Sequence, residues 1–294
     1  MAEIVRGQFD RQMRRRRLHG QIFHILCLVS ILIGLGMLAA LLINIFIDGW
    51  QRVNWSFLTS FPSRHPEGAG IKAALFGSIY VVALAGALAF SFGVAAAIYL
   101  EEYAPRNWFA RIIQINIANL AGVPSIVYGI LGLEIFVRFL DLGKSVLAGS
   151  FTLALLVLPI VIIAAEEAIR AVPPSIREGG FALGATRWQT IWRLVLPQAF
   201  PGILTGVILA VSRAVGETAP LIVMGALTFV PFTPDGPLSR FTVLPIQIFN
   251  WVSRPQEGFH EAAAAGIIIL LVVLLSMNAL AVLLRNRFQR RLEG

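Results

Sequence analysis

The sequence predicts an all-α integral membrane protein with six transmembrane helices, and three observations carry that expectation. The chain is 57% hydrophobic and only 14% charged, with a mean hydropathy of +0.78, whereas a soluble domain carries roughly 25% charged residues. Six apolar runs each reach the about 20 residues needed to cross hydrocarbon. The basic residues gather between alternate runs rather than evenly. Composition also excludes several classes of function. Cys27 is the single cysteine and lies inside an apolar run, so neither a disulfide framework nor a thiolate metal site is expected. His19, His24, His65 and His260 are scattered, with no two at a metal-ligand spacing on one helix. The net charge of +8 could suggest nucleic acid. In a chain this apolar it reads as the bias of membrane proteins toward positive inner loops, so a lipid bilayer and no nucleic acid is expected.

Residues 1–20 form a polar, basic N-terminus in which Arg14 to Arg17 are consecutive. The first apolar run, about 22–47, is too long for a signal-peptide core and has no small-x-small cleavage site before Asp48. That length also argues against reading the arginines as a twin-arginine export signal. Residues 48–71 are polar, with Trp50, Trp55, Pro62 and Pro66, and suit an interfacial loop or short helix. The second span, about 73–100, holds Gly77, Gly86 and Gly93 for close helix packing and ends at Glu101-Glu102. The remaining spans are expected at about 112–139, 146–165, 202–230 and 262–284. The membrane domain is thus 21–284, with a polar loop at about 166–198, and 285–294 is a basic tail.

Six spans put both termini on one side. Of the 24 basic residues, 16 then fall in the N-terminus, the second and fourth connections and the tail, while six fall on the opposite side. The asymmetry predicts that both termini and the 166–198 loop are cytoplasmic.

That loop has defined ends. Pro173-Pro174 stops the preceding helix. Ser175 to Leu183 can form about two helical turns, and Gly184 can supply a left-handed cap. Thr186 with Gln189 makes a capping box for the next helix. The result is either an ordinary helix–turn–helix connection or a short helix suited to a partner's groove.

Four further stretches bear on chemistry. Gly143-Lys144-Ser145 imitates the end of a Walker A loop, but the glycine that motif needs five residues earlier is Arg138. Any ATPase must therefore be a separate polypeptide. Pro124 interrupts the third span, frees a carbonyl near Leu120, and Ser125 offers that carbonyl a local partner. The break reads as a kink packed through Gly129 and Gly132, or as the lining of a permeation path. Glu134 and Arg138, four apart near the end of that span, read as an interfacial ion pair. Arg213 and Glu217 are also four apart but fall near the middle of the expected fifth span. A charge there is costly unless paired or wetted, and a substrate path is its usual explanation. The guanidinium fork suits an oxyanion, and Glu217 can moderate its hold. The alternative is a self-neutralising structural pair. An intramembrane enzyme would need a further acid, nucleophile or metal cluster, and a passive channel would not need the 166–198 loop.

Several phrases taken together resemble a known family. Glu178, Gly184, Leu194, Leu196 and Pro197 are spaced as in the EAA loop of ABC-importer permeases, with Gly179 and Gly180 in place of its alanines. Gly122-Val-Pro-Ser-Ile-Val-Tyr-Gly129, Ala182-Leu-Gly-Ala-Thr-Arg-Trp-Gln-Thr190 and Ala214-Val-Gly-Glu-Thr-Ala-Pro-Leu221 are similar to the permeases of phosphate ABC importers, and the last phrase to their A-type subunit. The resemblance covers roughly 70–284. It implies an ABC-importer (MetI-like) permease fold that is not an enzyme and binds no cofactor itself. It implies a homologous C-type permease subunit, a dimer of ATPase subunits hydrolysing ATP with magnesium, and an extracytoplasmic phosphate-binding protein. It places the chain in the bacterial inner membrane, with Arg177, Glu178, Gly179, Gly180, Ala182, Leu183 and Gly184 coupling to the ATPase and Arg213, Glu217, Pro124 and Ser125 along the path. A permease for sulfate, molybdate or tungstate is the alternative.

Overall fold

The computed structural model describes residues 2–105, 107–226 and 229–293, with side chains described within 19–287. Arg6, Arg11, Arg14 to Arg17, Arg106, Arg290 and Arg291, which enter the charge count above, lie outside those limits as residues or as side chains. Every regular element among the described residues is helical: α1 Ala2–Gly49, α2 Trp55–Thr59, α3 Lys72–Ile98, α4 Trp108–Ala121, α5 Ser125–Gly132, α6 Val146–Arg170, α7 Pro174–Ala182, α8 Arg187–Thr190, α9 Leu196–Val215, α10 Ala219–Met224, α11 Leu244–Val252 and α12 Glu257–Glu293.

Five of the helical stretches are long and apolar enough to cross a membrane: His19–Arg52, Lys72–Tyr103, Val146–Arg170, Arg187–Val215 and Glu257–Arg287. A sixth crossing exists only if α4 and Ser125–Phe139 count as one, and these two are bent by 100°. The expected single span at 112–139 is therefore two helices. The expected fifth span is displaced as well. It starts at Arg187 and stops at Val215, and the apolar residues beyond it form the separate α10. The boundary is short: Gly216, Glu217 and Thr218 interrupt two apolar runs, and a hydropathy window of about 20 residues averages over so brief a break.

Helices α3, α6 and α9 form the core, through contacts too close for ordinary side chains. On α9, a Cβ at Gly202 would lie 2.8 Å from the Ala168 Cβ, and one at Gly206 would collide with the Ala164 Cβ. Both pairs are one helical turn apart, so two small-residue ridges interlock, as expected where lipid gives helices no hydrophobic reason to associate. On α3, Gly77, Val81, Ala85, Ala89, Gly93 and Ala97 form a buried stripe at spacings of four.

The segment before α11 threads into this core. Phe241 is fully buried against Gly149 of α6, Ser78 Oγ accepts a 2.8 Å bond from the Leu244 amide, and the Thr242 carbonyl sits directly over Gly77. A second cluster unites α2, α11 and α12 around Phe57, Trp251 and Phe259. By contrast, α1 is held at its end, where a Cβ at Gly49 would lie 2.6 Å from the Ala264 backbone, and none of its apolar window is buried by the rest of the chain.

Gly77→Ala should therefore lower thermal stability by several degrees, at about 1–3 kcal/mol for overpacking. Gly179→Ala, where an added Cβ meets open space, should not. Melting of the purified protein in detergent distinguishes the two; equal melting temperatures would contradict the close packing over Gly77.

Candidate functional site

The expected path residues stand at two helix breaks. At the first, Pro124 is the N-cap of α5, exposed and with extended backbone, and Ser125 is the first helical residue. Proline has no amide to offer the Leu120 carbonyl. Ser125 is not the residue that replaces it. The Tyr128 hydroxyl donates to that oxygen at 2.8 Å and the Val123 amide at 3.1 Å. Tyr128 is better placed because it lies one turn into α5, where its ring reaches back across the bend, whereas the serine side chain is too short to do so.

At the second break, Gly216, Glu217 and Thr218 separate α9 from α10. Arg213 stands in the last turn of α9 rather than near the middle of a span, and Glu217 lies past the helix end. The two still pair, Nε to Oε1 at 3.5 Å, with side chains 57% and 18% exposed respectively. The last-turn position also sets a cation against the free carbonyls of the helix C-terminus, which favours it.

Helices α5 and α10 lie along each other. A Cβ at Gly129 would lie 2.7 Å from Pro220 Cα, and one turn on, Gly132 and Met224 both meet Thr152. Gly129, five residues beyond Pro124, thus packs against the start of α10, just past the Gly216–Thr218 break. Of the two readings of the interrupted span, packing through Gly129 and Gly132 is present. The Glu134–Arg138 pair forms further along, on an exposed π-helical turn, Leu133–Phe139, and is not part of this group.

The loop residues lie elsewhere and form a second group. Pro173 caps α7 and Pro174 opens it, Gly184 adopts φ +79°, and the Thr186–Gln189 capping box has both of its bonds. Gly180 is buried, with Leu194 and Thr190 atoms 2.9 Å from where a Cβ would sit, while Gly179 faces open space. Glu178, at the middle of α7, is exposed, as are Phe181, Ala182 and Leu183, the last at 89%. The tip of α7 is therefore an uncovered apolar surface.

Arg177 points the other way. Its Nε and Nη2 donate to Glu102 Oε1 at 3.0 and 2.7 Å, and Nη1 and Nη2 also donate to the Val172 and Ile169 carbonyls at 2.8 and 3.0 Å. Beside it, Arg170 makes a two-pronged pair with Glu101, at 3.1 and 2.9 Å, and a third bond to Glu167. Glu101 and Glu102 belong to a π-helical turn, Tyr99–Tyr103, at the end of α3. Sequence reasoning used these glutamates only to mark a span end. The available signal was two acids at a membrane boundary on the same expected side as two arginines of the next connection.

The comparisons agree with this architecture. Residues 89–291 match the family described as binding-protein-dependent transport system inner membrane component. A probable ABC transporter permease of Bacillus subtilis, YqgI, is 32% identical over 88% of this chain and 93% of its own length. The phosphate transport system permease protein PstA 1 of Mycobacterium tuberculosis is 32% identical over 94% and 92%, and PstA of Yersinia pestis 32% identical over 95% and 94%. Among solved structures, a bacterial alginate ABC transporter aligns over 92% of this chain and 95% of its own, at TM-score 0.63 and 15% identity. The MetNI methionine ABC transporter in an inward-facing form aligns over 74% and 94%, at TM-score 0.55 and 18% identity, a likeness of fold.

The Arg177 clamp carries an expectation. With Glu102 9% and Arg177 21% exposed, Glu102→Gln should cost about 2 kcal/mol and speed hydrogen exchange in α7 without unfolding α3. Unchanged exchange over 174–182 would mean that the clamp does not hold the loop.

Proposed function

We propose a transport role on one premise: the chain belongs to the binding-protein-dependent transport system inner membrane component family. It is a multi-pass, membrane-spanning permease subunit rather than an enzyme. We infer that its cargo is inorganic phosphate and its membrane the bacterial inner membrane, with both termini cytoplasmic. The phosphate-transport names of the Mycobacterium and Yersinia relatives support that cargo over sulfate, molybdate or tungstate. The orientation rests on the 16-to-six distribution of basic residues.

One observation carries the reading at the level of residues. An arginine stays more than half exposed at a helix break between membrane-crossing segments, held by a single carboxylate at 3.5 Å. Such a guanidinium keeps donors free for a tetrahedral oxyanion. Glu217 competes for the same donors, so the anion is held loosely enough to leave. In this reading a homologous C-type subunit supplies the other wall of the path, and an extracytoplasmic phosphate-binding protein delivers the anion. A pair of ATPase subunits hydrolyses ATP with magnesium against the exposed tip formed by Phe181, Ala182 and Leu183. Thrust on α7 reaches α3 through Arg177 and Glu102, and reaches the end of α6 through the Ile169 carbonyl.

Arg213→Gln should reduce uptake of labelled phosphate at least ten-fold, alone or with Glu217→Gln, and Arg213→Lys should restore part of it. The measurement uses cells lacking other phosphate importers and is normalised to assembled complex. Near-normal uptake in the double variant would remove Arg213 from the path. Coupling has its own test. Gly184→Val strains a left-handed turn by about 1–2 kcal/mol and should reduce ATPase recovered with the permease. Full recovery with normal uptake would leave the loop a simple connector.

A further inference from the structure

A cavity of about 1050 Å³ opens beside the loop, walled by the end of α3, the start of α4, the end of α6, and by α7 and α8. Among the described residues its charged lining is four arginines, Arg111, Arg170, Arg177 and Arg187, against two glutamates, Glu101 and Glu102. The glutamates are already committed: Glu101 receives two donors from Arg170, and Glu102 two from Arg177. Among the described residues, neither Arg111 nor Arg187 has a carboxylate within ion-pair distance. The Arg187 guanidinium is instead laid over the Tyr103 ring, its carbon 5.1 Å from the centroid. That contact occupies the face of the cation and leaves its N–H edge for an acceptor. Among the described lining residues, arginines thus outnumber carboxylates by two, Glu166 and Glu167 lying outside the lining near Arg170, and two guanidinium groups are without an anion.

We propose that this cavity is a second anion site, in which a phosphate-bearing oxyanion engages Arg111 and Arg187. The identity of the anion rests on the import reading above; the site itself rests on the charges and their partners. A cation is disfavoured because both carboxylates in the wall are neutralised. The elements it would join give the site a purpose. Arg111 lies on α4, the helix that runs to the Gly122–Pro124 break, and Arg187 opens α8, which follows the coupling helix. An occupant would tie the two together, so anion accumulating at the loop end would restrain the same helices that move it. The shared chemistry, phosphate oxygens, could come from the free ion or from a lipid headgroup.

Assembled complexes carrying Arg213→Gln, which removes the path arginine, serve as the test background. In nanodiscs of phosphatidylcholine alone, without nucleotide or binding protein, they are titrated with labelled inorganic phosphate. We expect a saturable component that weakens at least ten-fold when Arg111→Gln and Arg187→Gln are added, at equal recovery of complex. In a second arm, discs containing phosphatidylglycerol are examined by native mass spectrometry. Lipid retained by the background complex and shed by the triple variant assigns the site to a headgroup. Phosphate and lipid binding both indifferent to the two substitutions overturns the proposal. Uptake of labelled phosphate by the wild-type complex, reconstituted in sealed vesicles with binding protein and ATP, tests the import reading separately: binding without uptake sinks that reading and leaves the site standing.

Discussion

A backbone carbonyl freed inside hydrocarbon has to find another donor, and the geometry of this chain depends on how Leu120 finds one. Water is not there to accept the loss, which amounts to several kcal/mol. The Tyr128 hydroxyl reaches back over the bend and supplies the bond. With that oxygen satisfied, α4 and α5 can part at 100° without an exposed polar group. Helix α5 is then free to lie along α10, close enough that Gly129 touches the Pro220 backbone. The start of α10, immediately past the second break, is thereby packed against α5.

The other end of the molecule obeys a different logic. There the chain leaves the apolar medium, and ion pairs rather than packing hold the elements. Arg177 uses its whole fork on one carboxylate and two carbonyls, which leaves little freedom of direction. One face of α7 is thus bound into the protein by charge while its tip, at Phe181 and Leu183, stays uncovered and apolar. A short helix held on one side by four hydrogen bonds of Arg177 and bare at its tip is suited to passing on a push from a partner, which a flexible connector would absorb.

Local chemistry made part of this visible from sequence. The Thr186–Gln189 capping box, the left-handed Gly184 and the Pro173–Pro174 stop were each specified by residues within one turn, and each is present. The interruption at Pro124 was legible for the same reason, though not its angle, because packing of α5 on α10 and α6 sets that. The end of α9 was hidden because the break at Gly216, Glu217 and Thr218 spans three residues between two apolar runs, too few to move a hydropathy average. Glu102 meets Arg177 across 75 residues of chain, and no local pattern encodes such a meeting. The spacing of four located Arg213 and Glu217 as a pair but gave no sign that a helix ends between them.

The π-helical turn at Tyr99–Tyr103 also resolves an arithmetic puzzle. Buried positions on α3 recur every four residues from Gly77 to Ala97, and the next buried position is Glu102, five residues on. A wide turn absorbs one surplus residue, so Glu102 falls where a regular α-helix, at about 100° per residue, would place position 101. It acts as a phase keeper: the carboxylate five positions beyond Ala97 stays in line with the apolar stripe that precedes it. Removing one residue between Ala97 and Glu101 would let the turn revert to an ordinary one with Glu102 still on the buried side. Removing two, or inserting one more, would exceed what a single wide turn absorbs and swing that carboxylate about 100° away from the loop it holds.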